Sequence, residues 1–189
     1  MKKQQLHLNN LRGFILFVLL FVTAGATNTF SQTLFDDGNL KYVIFENTSN
    51  KGGVLVLVTG LTDKKQLQKD LIIPDEINLD GETYAVNGIM PYAFAECTNL
   101  VSASIPNAIT FIGDGTFFNC ANLRSVTIPN TVTIIGKHTF YGCTGLTTII
   151  IPDSIIKIDN AAFKNCSGLT SVIIPKLSNC VKPCAAWVG

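Results

Sequence analysis

A 23-residue period governs this chain from about Ile89 to Pro175. In every copy a phenylalanine is followed by a cysteine after three residues and by a leucine after six, without insertion or deletion. The recurring residues are Phe94, Phe117, Phe140 and Phe163; Cys97, Cys120, Cys143 and Cys166; Leu100, Leu123, Leu146 and Leu169; and Ile105, Ile128, Ile151 and Ile174, each isoleucine preceding a proline. A fixed period in the twenties indicates a solenoid, because one unit cannot bury its apolar face alone and must stack on its neighbours.

Each repeat also contains a short alternation of apolar and polar residues. In one copy Leu123 and Val126 are expected to face inward while Ser125 faces outward, which predicts a short parallel strand. The proline that follows the strand has no backbone N–H, so hydrogen bonding to the neighbouring strand ends there. A second apolar pair, Val132 and Ile135 in the same copy, predicts an opposite wall. The phenylalanines are then expected to fill the space between the two walls.

The repeat sequences resemble those of a known family. The copies "LRSVTIPNTVTIIGKHTFYGC" and "LTTIIIPDSIIKIDNAAFKNC" are similar to the BspA-type leucine-rich repeat of bacterial surface proteins. The resemblance implies a β-rich leucine-rich-repeat solenoid, with short parallel strands joined by turns or short helical segments and with a β-rich amino-terminal cap. It also implies adhesion to protein or glycan ligands on host matrix or on neighbouring cells.

Residues 1–31 have the order of a secretory signal peptide. Basic residues precede the apolar run from Phe14 to Val22, and small residues follow it. The run is too short to span a bilayer, for which about 20 residues are needed. Cleavage is expected after Ala26 or near Ser31. The sequence therefore predicts a secreted or cell-surface protein whose mature chain has no membrane span.

Removal of this segment changes the charge of the chain. Lys2, Lys3 and Arg12 are lost from 14 basic residues, which leaves 11 against 13 acidic residues. The mature chain therefore lacks the basic footprint of a nucleic-acid-binding protein.

Residues 32–87 are expected to form a β-rich cap and a first partial repeat, followed by four full repeats over residues 88–175. The runs Leu40–Phe45 and Gly53–Gly60 predict a hairpin, and Leu61–Asp70 predicts a solvated loop or a short helical turn. The spacing from Ile73-Pro74 to Ile105-Pro106 exceeds the period by nine positions. We place the surplus at Leu79–Tyr84, where Asp80-Gly81 indicates a tight turn.

Residues 176–189 depart from the repeat and form an irregular carboxyl-terminal tail. Two interpretations remain open. The tail is either a makeshift cap, in which Val181, Trp187 and a Cys180–Cys184 bridge cover the last turn, or the end of a truncated gene. In the second case the solenoid would end in an exposed strand edge.

The four periodic cysteines are predicted to be core residues and not disulfide partners. Residues at the solenoid period lie above one another about 4.8 Å apart with parallel side chains. A disulfide needs converging side chains with β-carbons nearer about 3.8 Å. We therefore expect a buried ladder of reduced thiols.

The sequence contains no recognisable set of catalytic or metal-binding residues. His138 is the one histidine after the signal segment, and its counterparts in other repeats are Gly115, Ala161 and, less comparably, Tyr92. Asp114 and Asp159 do not occupy equivalent positions, and neither a nucleophile elbow nor a phosphate-binding loop is present. We predict that the chain is not an enzyme and that it holds neither a cofactor nor a metal.

The outward positions of the strands remain as the candidate binding site. One column, predicted to be a uniform hydroxyl stripe, contains Ser102, Ser125, Thr148 and Ser171, and a second column contains Ser104, Thr127, Ile150 and Ile173, with Arg124 beside them. The second column changes from polar to apolar along the stack, which indicates either a contact site or a place where the tail folds over. The favoured function is a binding module for protein contacts or cell adhesion. The alternatives are a self-assembling surface protein that associates end to end and a fragment of a longer adhesin.

Overall fold

The computed structural model describes residues 30–47, 54–62 and 69–173. Within these residues the chain forms thirteen β-strands, and turns rather than helices connect the strands of the repeats. This part of the chain contains no helix of the length and apolarity needed to cross a membrane. The predicted signal segment and the irregular tail lie outside the described residues, apart from Phe30 and Ser31.

The strands fall into two groups along the chain. The first six are mostly long: β1 (Phe30–Asp36), β2 (Leu40–Asn47), β3 (Val54–Leu61), β4 (Asp70–Ile72), β5 (Glu76–Leu79) and β6 (Glu82–Ile89). The remaining seven have two or three residues: β7 (Ser102–Ser104), β8 (Phe111–Ile112), β9 (Ser125–Thr127), β10 (Ile134–Ile135), β11 (Thr148–Ile150), β12 (Lys157–Ile158) and β13 (Ser171–Ile173).

One side of the solenoid, here called wall A, consists of β4, β7, β9, β11 and β13. The strands β4, β7 and β9 pair in parallel, as do β11 and β13, and β9 lies beside β11 without a continuous ladder. The paired central residues Leu71, Ala103 and Val126 are all buried. The predicted inward and outward alternation is therefore confirmed in wall A.

The opposite side, wall B, consists of β8, β10 and β12. The strands β10 and β12 pair in parallel, with Ile135 opposite Ile158, and β8 pairs in parallel with β6. Ile112, Ile135 and Ile158 are buried. The second apolar pair of each repeat therefore lines the wall that the sequence predicts.

The amino-terminal strands form one sheet with the start of wall B. Its order is β1-β2-β3-β6-β5, with β8 also pairing to β6. β2 and β3 form the predicted hairpin, whereas β3 runs parallel to β6. The use of this sheet as a cap for the solenoid stays a prediction. Residues 63–68 of the predicted Leu61–Asp70 loop lie outside the described residues.

The nine surplus residues before the first full repeat form a second hairpin. β5 pairs antiparallel with β6 from Glu76 to Leu79, and the two residues between them, Asp80 and Gly81, both have positive φ angles of 54° and 89°. Two consecutive positive φ angles are typical of a type I′ turn. The predicted turn is thus confirmed. Because the hairpin takes up the surplus residues, β4 still pairs with β7, and Asp70 lies opposite Ser102 although the two are nine positions further apart than one period.

The core between the walls contains a column of four phenylalanines, here called the spine: Phe94, Phe117, Phe140 and Phe163. Successive ring centroids lie 5.7, 5.6 and 5.2 Å apart, with interplanar angles of 19°, 7° and 7°. All four rings are buried. Burial of such a ring stabilises the fold by about 1.5–3 kcal/mol. The spine is therefore a major part of the stabilisation that one repeat gains from the next.

The periodic cysteines form a second buried column, here called the thiol ladder: Cys97, Cys120, Cys143 and Cys166. All four are buried and none is in a disulfide, as predicted. The thiol of Cys120 donates to the Phe94 carbonyl over 3.1 Å, and Cys143 and Cys166 make the equivalent bond to the repeat before them over 3.1 and 3.0 Å. Each of these three thiols thus joins two repeats through a hydrogen bond. Cys180 and Cys184 lie outside the described residues.

Two positions in each repeat adopt the left-handed backbone conformation. The first set is Tyr92, Gly115, His138 and Ala161, with φ from 56° to 63°, and the second is Glu96, Asn119, Gly142 and Asn165, with φ from 56° to 71°. Glycine and asparagine tolerate this region best, and other residues are strained there. Tyr92 is therefore a full counterpart of His138, and the less comparable status that the sequence suggested for it is wrong.

Candidate binding face

Wall A presents two parallel columns of outward side chains, which together are here called the outer face. The first column is Asp70, Ser102, Ser125, Thr148 and Ser171, and the second is Ile72, Ser104, Thr127, Ile150 and Ile173. All nine residues of the predicted site lie on or beside this face, because eight belong to the columns and Arg124 immediately precedes β9. The structure therefore brings the predicted residues together on one surface.

The first column differs from the uniform hydroxyl stripe that the repeats alone suggested. β4 adds Asp70 at its beginning, and the Ser102 hydroxyl donates to Asp70 Oδ1 over 2.5 Å. The other three members, Ser125, Thr148 and Ser171, are exposed hydroxyl groups. The column is thus a row of small polar groups with one carboxylate at its end.

The second column is apolar at both ends, which corrects the predicted gradient from polar to apolar. Ile72 begins it with 75% of its surface exposed, and Ile150 and Ile173 end it with 62% and 51% exposed. Ile150 and Ile173 are directly paired neighbours on β11 and β13. Ser104 and Thr127 lie between the two apolar ends.

The outer face carries little charge. Asp70 is the one ionisable residue in its two columns, and the exposed Lys69 and Arg124, which immediately precede β4 and β9, stand beside them. The backbone N–H of Arg124 donates to the Val101 carbonyl over 2.8 Å, so its main chain is held in wall A while its side chain is exposed. Hydroxyl groups and exposed isoleucines make up most of the two columns, with one carboxylate and two basic side chains at their margin, which favours hydrogen bonding and apolar contact over the binding of a highly charged ligand.

His138 belongs to a different cluster, which the sequence analysis missed. It forms an outer aromatic row with Tyr92, Phe118 and Tyr141. The Phe118 and Tyr141 rings stack 5.0 Å apart at an angle of 9°, and His138 meets Tyr141 edge to face at 5.6 Å. Phe118 and Tyr141 each follow a spine phenylalanine, so the one-period spacing of this second aromatic pair was the available signal.

The rings of the outer aromatic row contact one another. Phe118 and Tyr141 turn a face toward each other, and Asn165 Nδ2 donates to the Tyr141 hydroxyl over 2.8 Å. The Tyr92 ring covers Gly115, where a β-carbon would clash with Tyr92 Cε1. The row therefore links the turns of successive repeats through ring contacts.

Burial favours the neutral thiol at two positions of the ladder, Cys143 and Cys166. Burial raises the pKa of Cys143 well above its ordinary value. It also raises the pKa of Cys166 to about 11, and a hydrogen bond between the Cys166 thiol and the Cys143 backbone offsets only a smaller part of that rise. A thiolate is the nucleophile and metal ligand, so these groups are poor at both. Among the described residues, no three His, Cys, Asp or Glu side chains are placed to hold a metal.

The family to which this chain belongs follows from the sequence of its repeats. The model of the family described as "BspA type Leucine rich repeat region (6 copies)" matches residues 87–185, which is just over half of the chain. The chain belongs to the BspA-type leucine-rich repeat family. A comparison with curated proteins gave no significant match to this BspA-type chain.

Three solved structures share the fold of this BspA-type chain. A leucine-rich repeat protein from Bacteroides capillosus is 25% identical, with a TM-score of 0.62 over 75% of this chain and 97% of that one. One from Bacteroides ovatus is 27% identical, with a TM-score of 0.57 over 75% of this chain and 41% of that one. A leucine rich cell surface protein from Faecalibacterium prausnitzii is 23% identical, with a TM-score of 0.58 over 77% of this chain and 40% of its own. This chain thus spans about two fifths of two of these proteins.

Proposed function

We propose that this chain is a secreted or cell-surface binding module that contacts a protein ligand through the outer face of wall A. The observation that carries the proposal is the exposure of Ile150 and Ile173 side by side on a strand face where the neighbouring positions Thr127, Thr148 and Ser171 carry hydroxyl groups. Exposed apolar side chains grouped on one face, with polar groups around them, are typical of protein contact sites. The resemblance to a bacterial cell surface protein supports the proposed location.

The dimensions of the outer face limit the kind of contact. Five strands about 4.8 Å apart span roughly 20–25 Å, and three residues along a strand cover roughly 10 Å. A standard interface takes about 800 Å² from each partner. The outer face fits an extended segment of a protein ligand better than a large globular surface. Display of many copies on a cell would strengthen such weak binding.

The test replaces Ile150 with serine, because Ile150 lies within the outer face and 62% of its surface is exposed. The matched control is Ile134→Ser on wall B, which changes an equally apolar residue with 42% of its surface exposed. Both variants and the unchanged chain are applied to an immobilised panel of purified extracellular-matrix proteins. We expect Ile150→Ser to weaken capture about tenfold and Ile134→Ser to leave it unchanged, since loss of one well-packed apolar contact costs about 1.4 kcal/mol or more.

The variants must first give the circular dichroism spectrum of the unchanged chain, which excludes a loss of fold. Equal capture of the two variants and the unchanged chain would refute the assignment of the outer face. Capture that is lost only with Ile134→Ser would move the site to wall B.

No observation in the described residues favours catalysis, and the prediction that the chain is not an enzyme stays a prediction. A glycan ligand is the alternative within the same class of function. Hydroxyl groups along the first column would serve such a ligand, whereas the exposed isoleucines favour a protein. Preferential capture by a neutral polysaccharide in the same assay would support the alternative.

A further inference from the structure

Charged side chains of opposite sign flank the two margins of wall A. Lys69 and Arg124, both exposed, immediately precede β4 and β9, so basic side chains lie where these strands begin. Asp75 and Asp153, also exposed, follow β4 and β11 by three residues, past the prolines that come after these strands. The outer face therefore has a basic margin at the strand beginnings and an acidic margin at the strand ends.

Arg124 is the unbalanced charge of the basic margin. The described part of the chain carries twice as many acidic as basic side chains, and Lys69 is directly followed by Asp70, whose charge offsets its own. Arg124 has no salt-bridge partner among the described residues, where an ion pair is found between Lys157 and Asp159 instead. The residues beside Arg124 in wall A are uncharged: Val101, Ser102, Ser125, Thr147 and Thr148.

Arg124 and the exposed Ile150 lie on neighbouring strands of wall A. Thr147 is one period after Arg124, and Ile150 follows Thr147 by three residues at the end of β11. One strand spacing of about 4.8 Å and three residues of about 3.3 Å each place the two positions roughly 11 Å apart. A guanidinium and an apolar side chain at this distance can contact the same short segment of a ligand.

An extended segment of a protein matches this distance. Alternate residues of an extended chain point to one side, so residues two and four positions apart on that side are separated by about 7 and 13 Å. A guanidinium binds a planar carboxylate through two parallel N–H donors. A carboxylate on the ligand would thus meet Arg124 while an apolar side chain two or four positions away meets Ile150.

We infer that the ligand of the outer face is an extended protein segment with a carboxylate two or four positions from an aliphatic or aromatic side chain. This ligand class rests on the proposed function, because it is assigned to the same face. The acidic margin sets the direction of binding. A carboxylate placed near Asp153 would be repelled, so the acidic residue of the ligand lies toward the strand beginnings.

The contact with Arg124 is expected to be modest and sensitive to salt. An exposed ion pair contributes little free energy, and dissolved ions screen it. A charge at the rim of an interface acts mainly on the association rate and on its salt dependence. Removal of the guanidinium should therefore weaken binding about twofold to fivefold at low salt and hardly at all at high salt.

The test selects a displayed library of random linear peptides against the unchanged chain and against two variants with its circular dichroism spectrum, Arg124→Glu and Ile150→Ser. The unchanged chain should enrich peptides with an acidic residue two or four positions from an apolar one. Arg124→Glu should enrich a basic residue in place of the acidic one, because the sign of the margin is reversed. Ile150→Ser should lose the preference for the apolar residue.

The most strongly enriched peptide then serves as the probe in an affinity measurement. Arg124→Gln should weaken its binding about twofold to fivefold at low salt. The matched control is Lys137→Gln, which removes an exposed positive charge outside wall A and should leave binding unchanged.

The outcomes separate the ligand class from the proposed face. Apolar enrichment that depends on Ile150 but comes without an acidic residue would overturn the ligand class and leave the face intact, as would equal affinities of Arg124→Gln and the unchanged chain. A library that enriches nothing, or that enriches the same peptides on Ile150→Ser, would overturn the face and the ligand class together.

Discussion

At the scale of single residues, the cysteines show how the repeat length determines whether a thiol forms a disulfide. The constant repeat length places each thiol above the previous one, where it meets a phenylalanine carbonyl and not another sulfur. The bond satisfies the thiol in an apolar interior. The same residue type that forms disulfides in many secreted proteins therefore serves here as a small core residue with one polar contact.

The thiol ladder predicts a specific labelling result. A chain carrying Cys180→Ser and Cys184→Ser retains only the four ladder thiols, all reduced and buried. We expect them to be unreactive toward a thiol reagent at neutral pH and to react in full, four per chain, in denaturant. Fewer than four reactive thiols in denaturant would contradict the ladder.

The pH dependence of this labelling follows from the raised thiol pKa values. Burial raises the pKa of Cys166 from an ordinary value of 9.0 to about 11, so the neutral thiol is favoured in the folded state. The resulting stabilisation is complete below the unfolded-state value of 9.0 and is lost as pH rises through about 11. The native labelling rate should therefore stay low up to about pH 9 and rise steeply above it. Rapid labelling at pH 8 would show that the thiols are accessible.

At the scale of elements, the turn between wall B and the spine stores backbone strain in most repeats. Its first left-handed position is occupied by Gly115 in one repeat but by Tyr92, His138 and Ala161 in the others. A residue with a β-carbon is disfavoured in this conformation by about 1–2 kcal/mol. Three of the four turns therefore store strain that the stacked core must offset.

Substitutions at this first left-handed position test the strain. Ala161→Gly should raise the free energy of unfolding by about 0.5–1 kcal/mol, because relief of the strain exceeds the entropy that glycine adds to the unfolded chain. Gly115→Ala should lower it by about 1–2 kcal/mol, since the backbone has φ of 63° there and the Tyr92 ring occupies the space. Equilibrium unfolding in urea measures both.

A Tyr92→Ala background separates the two causes for Gly115→Ala. If the ring contributes, the cost of Gly115→Ala falls when the ring is absent, and the remaining cost is that of the backbone alone. A destabilising Ala161→Gly would contradict the assignment of strain to this position.

At the scale of the whole molecule, the parts with a repeated or local sequence signal could be predicted, and the parts that depend on pairing between distant, unrelated segments could not. Phe117 and Cys120 recur at a fixed spacing, and stacking then determines their burial. The turn at Asp80-Gly81 was readable because two consecutive positive φ angles demand particular residues. By contrast, the parallel pairing of β3 with β6 joins segments of unrelated sequence, and no local pattern specifies it.

The candidate binding face shows the same division. The outward positions from Ser102 to Ile173 followed from the alternation within each repeat, and the structure places them on one surface. Ile72 was missed because its repeat is interrupted by the β5–β6 hairpin, so it lies well over one period before its partner Ser104. The contact of His138 with Tyr141 was missed because it depends on a left-handed turn, a position at which no single residue type recurs.

The central claim is that ligand contact occurs on the outer face of wall A. Hydrogen–deuterium exchange of the chain, alone and bound to the matrix protein that captures it best, tests this claim most directly. We predict slower exchange in peptides that contain β7, β9 and β11, with β8, β10 and β12 unchanged. Protection confined to wall B, or to the amino-terminal sheet, would contradict it.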